Sequence, residues 1–144
     1  MIWRILAVGR PSLAYARDGV EEYLKRLQGF GRAEVRFVKP AADASSRMLA
    51  QSADCFRILL DERGKQFTSR GFAAEVQKLE NRSISRCAVL VGGSDGWDEE
   101  TRKEAGLLWA LGSLTLQHEL ALVVALEQIY RSCTIRAGMP YHRD

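Results

Sequence analysis

Three groups of residues in this chain have the types and spacing to do chemistry. At the C-terminus, Tyr141-His142-Arg143 set an aromatic ring, an imidazole and a guanidinium side by side, behind the stiffening Pro140. Such groups stack on a base, hold or move a proton, and grip a phosphate. A frayed polar tail is the plainer alternative, as chain ends usually are. The second group is Gly92-Gly93-Ser94-Asp95-Gly96. A glycine turn lets a ligand come close to the backbone and leaves N–H groups to donate. It is neither GxGxxG nor a P-loop, and a tight strand-to-helix turn would need the same glycines. The third is Leu111-Gly112-Ser113-Leu114-Thr115-Leu116. It is too apolar for an ordinary surface loop, and its glycine would interrupt strand pairing. It leads into Leu120–Leu126, apolar on every face, which predicts a helix buried all round. The backbone of such a loop needs partners for its N–H and C=O groups, and a ligand could supply them.

Other candidates are fewer. His118 opens the apolar helix, where a neutral imidazole could act as a hydrogen-bonding cap. No Ser-His-Asp set is visible. Arg10, Arg17, Arg131, Arg136 and Arg143 would make an anion-attracting rim if they gathered at the glycine turn. Cys55, Cys87 and Cys133 are odd in number and lack metal-ligand spacing, so neither zinc nor a disulfide framework is expected. They read as small core residues of a reduced, cytoplasmic protein. The apolar run after Met1 is too short for a signal peptide, and no run reaches membrane-spanning length. A net charge of +3 is compatible with nucleic acid without demanding it.

The elements that must position these groups follow in order. Ile2–Val8 reads as a buried strand stopped by Gly9 and Pro11, and Ser12 as the cap of a helix ended by Gly29 and Gly31. Ala33–Val38 alternates as a second strand. Ala41–Ser52 is small and polar, a weak helix or a mobile segment. Cys55–Leu60 is a third strand followed by a charged turn, Asp61–Lys65. Ser69 would cap a helix with the stripe Phe72, Val76, Leu79. Cys87–Val91, apolar throughout, suits a strand covered on both faces. Asp98-Glu99-Glu100 marks a helix start, and Leu107–Leu111 a short fifth strand before the long helix. Strands alternating with helices, no linker and no repeat predict one α/β domain over residues 1–144, with a mostly parallel sheet flanked by helices. Ligands of such sheets bind outside the carboxyl ends of the strands, where Leu60, the glycine turn and the Leu111–Leu116 loop all fall.

Four pieces in this order resemble one family: Val89–Gly96, Leu111–His118, Glu127-Gln128-Ile129-Tyr130-Arg131 and Pro140-Tyr141-His142-Arg143. It is the ribosomal large-subunit RNA methyltransferase H family, of the SPOUT class. Ala7-Val8-Gly9, Glu22–Arg26, Leu60-Asp61 and Gly64-Lys65 match it too. The resemblance implies transfer of a methyl group from S-adenosylmethionine to N3 of a pseudouridine in the 23S rRNA of the ribosome. It also implies a C-terminal trefoil knot, which general rules of chain threading would not suggest. By that resemblance Leu111–Leu116 is similar to the knot loop that cradles the cofactor, and Leu60 with Gly92-Gly93 matches the other cofactor-contacting turns. Members are homodimers whose tail helps complete the active site across the interface, without metal or membrane. Tyr141, His142 and Arg143 would then be the catalytic group, with His142 handling the N3 proton, Tyr141 shaping the pocket, and Arg143 and Arg131 holding phosphate.

The chain departs from the family's pattern at named places. It has Ser94-Asp95 where many members have Pro-Glu, Gln117 where many have proline, and Leu122 where many have arginine. Ala41–Ser52 lacks the lysines common there. Two other readings stay open on the sequence: a non-catalytic RNA-binding module on the same fold, and a flavodoxin-like nucleotide-binding protein.

Overall fold

The structure, a computed structural model, describes residues 1–143. Five strands, β1 (Ile2–Val8), β2 (Ala33–Val38), β3 (Phe56–Gln66), β4 (Arg86–Val91) and β5 (Leu107–Ala110), form one sheet in the order β2-β1-β4-β3-β5. Every pairing is parallel. β4 lies in the middle, and Cys87–Val91 are almost wholly enclosed, as its unbroken apolar run requires. Alternate residues feed two cores. Trp3, Ile5, Val89 and Val91 face one layer with Phe72, Val76, Leu126 and Ile129, while Leu6, Ala88 and Leu90 face the other with Met48 and Trp97.

The helices are α1 (Ala14–Gln28), α2 (Ala44–Gln51), α3 (Ser69–Asn81), α4 (Glu99–Lys103) and α5 (His118–Arg136), with a final 3₁₀ turn at Pro140–His142. α5 leaves the edge strand β5 and returns to the middle of the molecule, packed between α1 and α3 over β4. No helix among the described residues is long and apolar enough to cross a membrane.

Several local expectations are corrected. Of the two readings of the segment after β2, the helix is the one found, with Ala44 and Met48 burying one side of it. Thr68, not Ser69, caps α3, its hydroxyl accepting from the Gly71 N–H at 2.9 Å. Ser12 does not cap α1 with its own side chain. Asp61–Lys65 does not end β3. Leu60 and Lys65 both pair with Trp109, so the intervening residues loop out and the chain rejoins the same strand. Gly64 makes this feasible: a Cβ there would lie 2.5 Å from the Leu108 carbonyl carbon, inside the β5 backbone. Finally, α5 is not buried all round. Leu122, Ala125, Leu126 and Ile129 are enclosed, but Leu120 and Val124 stay half-exposed on the opposite stripe, shared with Glu127 and Arg131 by helical spacing.

Candidate active site

The carboxyl ends of β3, β4 and β5 lie side by side, and the segments leaving them enclose one cavity of about 470 Å³. Its walls are the excursion after Leu60, the Gly92–Trp97 turn, the loop from Leu111 to Leu116, and the start of α5 at Gln117 and His118. The size is that of a small-molecule site, roughly 300–1,000 Å³. Trp97 joins two of the walls. Its indole N–H donates to the Leu60 carbonyl at 2.7 Å, and its ring lies on Gly92, where an added Cβ would approach the ring carbons to 3.2 Å. At the third strand end, Trp109 packs against Phe72 with ring centroids 4.1 Å apart.

Charge in the cavity wall is held in place. The Asp61 carboxylate accepts from the Arg102 guanidinium at 2.5 Å and from the Arg63 N–H at 2.9 Å. Burial works to raise its pKa, but these hydrogen bonds and the two arginine charges win and hold it below the usual carboxylate range. Arg102 and Arg63 also both reach Glu99.

The start of α5 is anchored by an exchange of caps. Gln117, rather than His118, caps the helix, its side-chain oxygen accepting from the N–H groups of Glu119 and Leu120. That leaves the Glu119 carboxylate to serve α1. It accepts from the Ser12 N–H and the Leu13 N–H, both at 2.9 Å, and from the Ser12 hydroxyl at 3.0 Å. One enclosed carboxylate thus stands between two helix N-termini, whose dipoles both favour its negative charge. The backbone hydrogen bond from Leu13 leads in keeping Glu119 below the usual glutamate range, against the opposing effect of burial.

The tail is ordered against the far half of α5. Tyr141 donates to Glu127 at 3.0 Å and meets Tyr130 edge-on at 4.7 Å. Arg131 lies over the Tyr141 ring, pairs with Glu127, and donates to the His142 carbonyl at 3.0 Å. Arg131 is therefore a brace for the tail, which leaves Arg143 as the tail's exposed cation. Burial first, then hydrogen bonds with Tyr23 and Glu127, push the Tyr141 phenol well above its usual range, so it acts as a donor and not as a base.

Of the residues expected at a cofactor site, Leu60, Gly92, Gly93, Leu111, Gly112, Leu114, Thr115 and Leu116 all line the one cavity. Ser113 is exposed and does not line it. Tyr141, His142 and Arg143 do not reach it within one chain. The cavity touches α5 at Ala121 and the tail grips it at Arg131, ten residues on and about 15 Å along the axis. Nor do the five arginines gather: Arg136 pairs with Glu80 and Gln77, away from the cavity. Trp97, Glu119 and Trp109 were not singled out by sequence. The available signals were a large aromatic inside a glycine turn and an acid at the head of an apolar helix.

A cavity at the carboxyl ends of a parallel sheet, walled by three strand-end loops and the helix that returns between α1 and α3, defines a class of α/β proteins with a SPOUT-like arrangement. A Bordetella pertussis protein described as "Probable Methyltransferase" shares the fold with a TM-score of 0.60 at 12% identity, over 91% of this chain and 95% of that one. A Legionella pneumophila protein described as a "putative methyltransferase", solved in complex with the bound cofactor SAM, has a TM-score of 0.50 at 13% identity, over 92% of this chain and 66% of that one. The family described as "Predicted SPOUT methyltransferase" matches residues 1–142, and this chain belongs to it. Among its relatives, a Thermus thermophilus protein named "Ribosomal RNA large subunit methyltransferase H" is 45% identical over 140 residues, covering 97% of each chain.

Proposed function

We propose that this protein is a ribosomal RNA methyltransferase that moves the methyl group of S-adenosylmethionine to N3 of a pseudouridine in 23S rRNA. The observation that carries the reading is the meeting of three sequence-distant loops, at Leu60, Gly92 and Leu114, around one cavity of about 470 Å³. The relative named for this activity aligns over nearly the whole chain, which supports the assignment.

The residues present suit the methyl donor. Leu60, Leu114, Leu116 and Trp97 offer apolar surface for a nucleoside, the glycine turn and the Leu111–Leu116 loop offer backbone groups, and Glu62 and Asp95 offer negative charge to a cationic ligand. When bound, S-adenosylmethionine supplies an activated methyl group for in-line displacement. The protein's own work is alignment: the Trp97 bridge and the Glu119 anchor hold the walls at fixed separation. N3 must also lose its proton, and His142 is the group assigned to hold or accept it.

Two copies complete the site in this reading. The tail lies too far along α5 to serve its own cavity, while Leu120 and Val124 are half-exposed on α5 and Leu13, Tyr15 and Leu114 are exposed apolar residues. A two-fold axis over that surface would carry each tail to the partner's cavity. The knotted path belongs to the same proposal, with α5 running back from the edge strand beneath the loops it helps to wall. A ribosomal substrate implies a cytoplasmic location.

Calorimetric titration with S-adenosylmethionine, followed by transfer of its labelled methyl group to ribosomes lacking the modification, tests the proposal. Saturable binding and label at one pseudouridine are expected. Ribosome binding without any affinity for the methyl donor would instead leave a non-catalytic RNA-binding module. His142→Ala methylating at the normal rate would remove the proton role from that residue.

A further inference from the structure

The two rims of the cavity carry opposite charge. On the side of β3 and α4 most of the cations are already neutralised, and Lys65 lies over the Phe67 ring. Arg63 pairs with Glu99, Arg102 with Asp61 and Glu99, and Lys103 with Glu100. Glu62, Asp95 and Asp98 then leave that rim net acidic.

The opposite rim is built where β1 and β2 end together. Val8 pairs with Val38, the Gly9 N–H donates to the Val38 carbonyl at 2.8 Å, and Arg10 and Lys39 leave the sheet as neighbours. This corner adjoins the cavity, since Val8 lies against Gly93, and Gly9 and Pro11 share a small cleft with Gly92 and His118. Arg10, Arg17 and Lys39 are exposed, and none has an ion-pair partner among the described residues. Arg17 donates to the Ser12 carbonyl at 2.5 Å, which holds its charge beside the same loop. Asp18 and Asp43 lie in this stretch but pair with none of the three. Arg10 also sits over the Phe37 ring, its guanidinium carbon 5.2 Å from the ring centre, a cation–aromatic contact at the edge of the sheet.

Resting on the ribosomal RNA reading above, we infer that this β1–β2 corner is the face that takes the RNA backbone. Arg10 and Lys39 hold phosphates, and the Arg10–Phe37 pair offers a platform to a nucleotide flanking the target. Unneutralised cations attract a polyanion and release its counterions, whereas paired ones contribute little. The acidic rim repels the same strand. RNA therefore enters over β1 and β2 and passes the mouth at Gly92 from that side only. An arginine already held over a ring is arranged to stack on a base as well.

The test compares the full-length wild type with an Arg10→Ala/Lys39→Ala double variant, Arg10→Lys, and Lys103→Ala on the acidic side. Binding to unmodified ribosomes is measured across a salt series, with a S-adenosylmethionine titration of each protein alongside. The double variant is expected to bind ribosomes on the order of tenfold or more weakly, its log–log salt slope reduced by about one for each phosphate it no longer holds. Its affinity for the methyl donor stays at the wild-type value, which also shows that it is folded. Arg10→Lys keeps the salt slope but loses part of the affinity, because a lysine cannot stack in the same way. Lys103→Ala binds ribosomes as the wild type does. Unchanged ribosome affinity and salt slope in the double variant would overturn the inference while leaving the enzyme reading intact. A wild type that binds neither the methyl donor nor ribosomes would take down both.

Discussion

Trp97 ties the candidate site together with a single hydrogen bond and one tight contact. Its turn is otherwise made of glycine, serine and aspartate, so the indole is the only large apolar group there and packs inward, 6% exposed. Because it bridges the Leu60 carbonyl and Gly92, small changes at either end should move the cavity wall. Gly92→Ala forces the ring back by a few tenths of an ångström and is expected to lower affinity for S-adenosylmethionine about tenfold, with little loss of stability. Trp97→Phe removes the bond to Leu60 and should cost about 1 kcal/mol of stability in denaturant titration, plus a similar loss of ligand affinity. Wild-type affinity in both variants would mean that this wall does not touch the ligand.

At the scale of elements, the unusual feature is that α5 caps α1. Helix α1 begins at Leu13 without a side-chain cap of its own, and Glu119 supplies one from the far end of the sequence. The pKa of Glu119 is lower folded than the ordinary value of about 4.5. Its contribution to stability is therefore fully present above that value and is lost as pH falls through the folded one. Asp61 and Asp98 are shifted the same way, so acid should unfold the protein in a window below about pH 4.5. Glu119→Gln keeps the shape but loses the charge between the two helix starts. Thermal melts from pH 3 to 8 should show it less stable than wild type at neutral pH and converging with it as the pH drops, with Glu119→Ala lower still. Parallel melting curves at every pH would contradict a charged cap.

For the whole molecule, the separation of tail and cavity along α5 gives the decisive prediction. If two copies complete each other's sites, an inactive His142→Ala protein and an inactive cavity variant should restore activity when mixed and allowed to exchange subunits. Random pairing leaves about a quarter of the wild-type sites whole, in the mixed dimers. A mixture as inactive as its components would mean that each chain works alone.

What the sequence determined by itself were the features governed by local physics. The strand runs, the alternation with helices and the glycine turn all depend on neighbours within a few residues. So did the apolar character of Leu111–Leu116, and the order of four family-like pieces added the expected chemistry. What only the tertiary structure decided were relations between distant residues. Glu119 caps a helix more than a hundred positions earlier, Gly64 lies over a strand formed some forty residues later, and Arg131 braces the tail. The half-exposed stripe on α5 is of the same kind. Side-chain apolarity says that a surface prefers cover, but only the packing of the other elements shows which surface they leave uncovered, because burial is a property of the assembled chain and not of any segment of it.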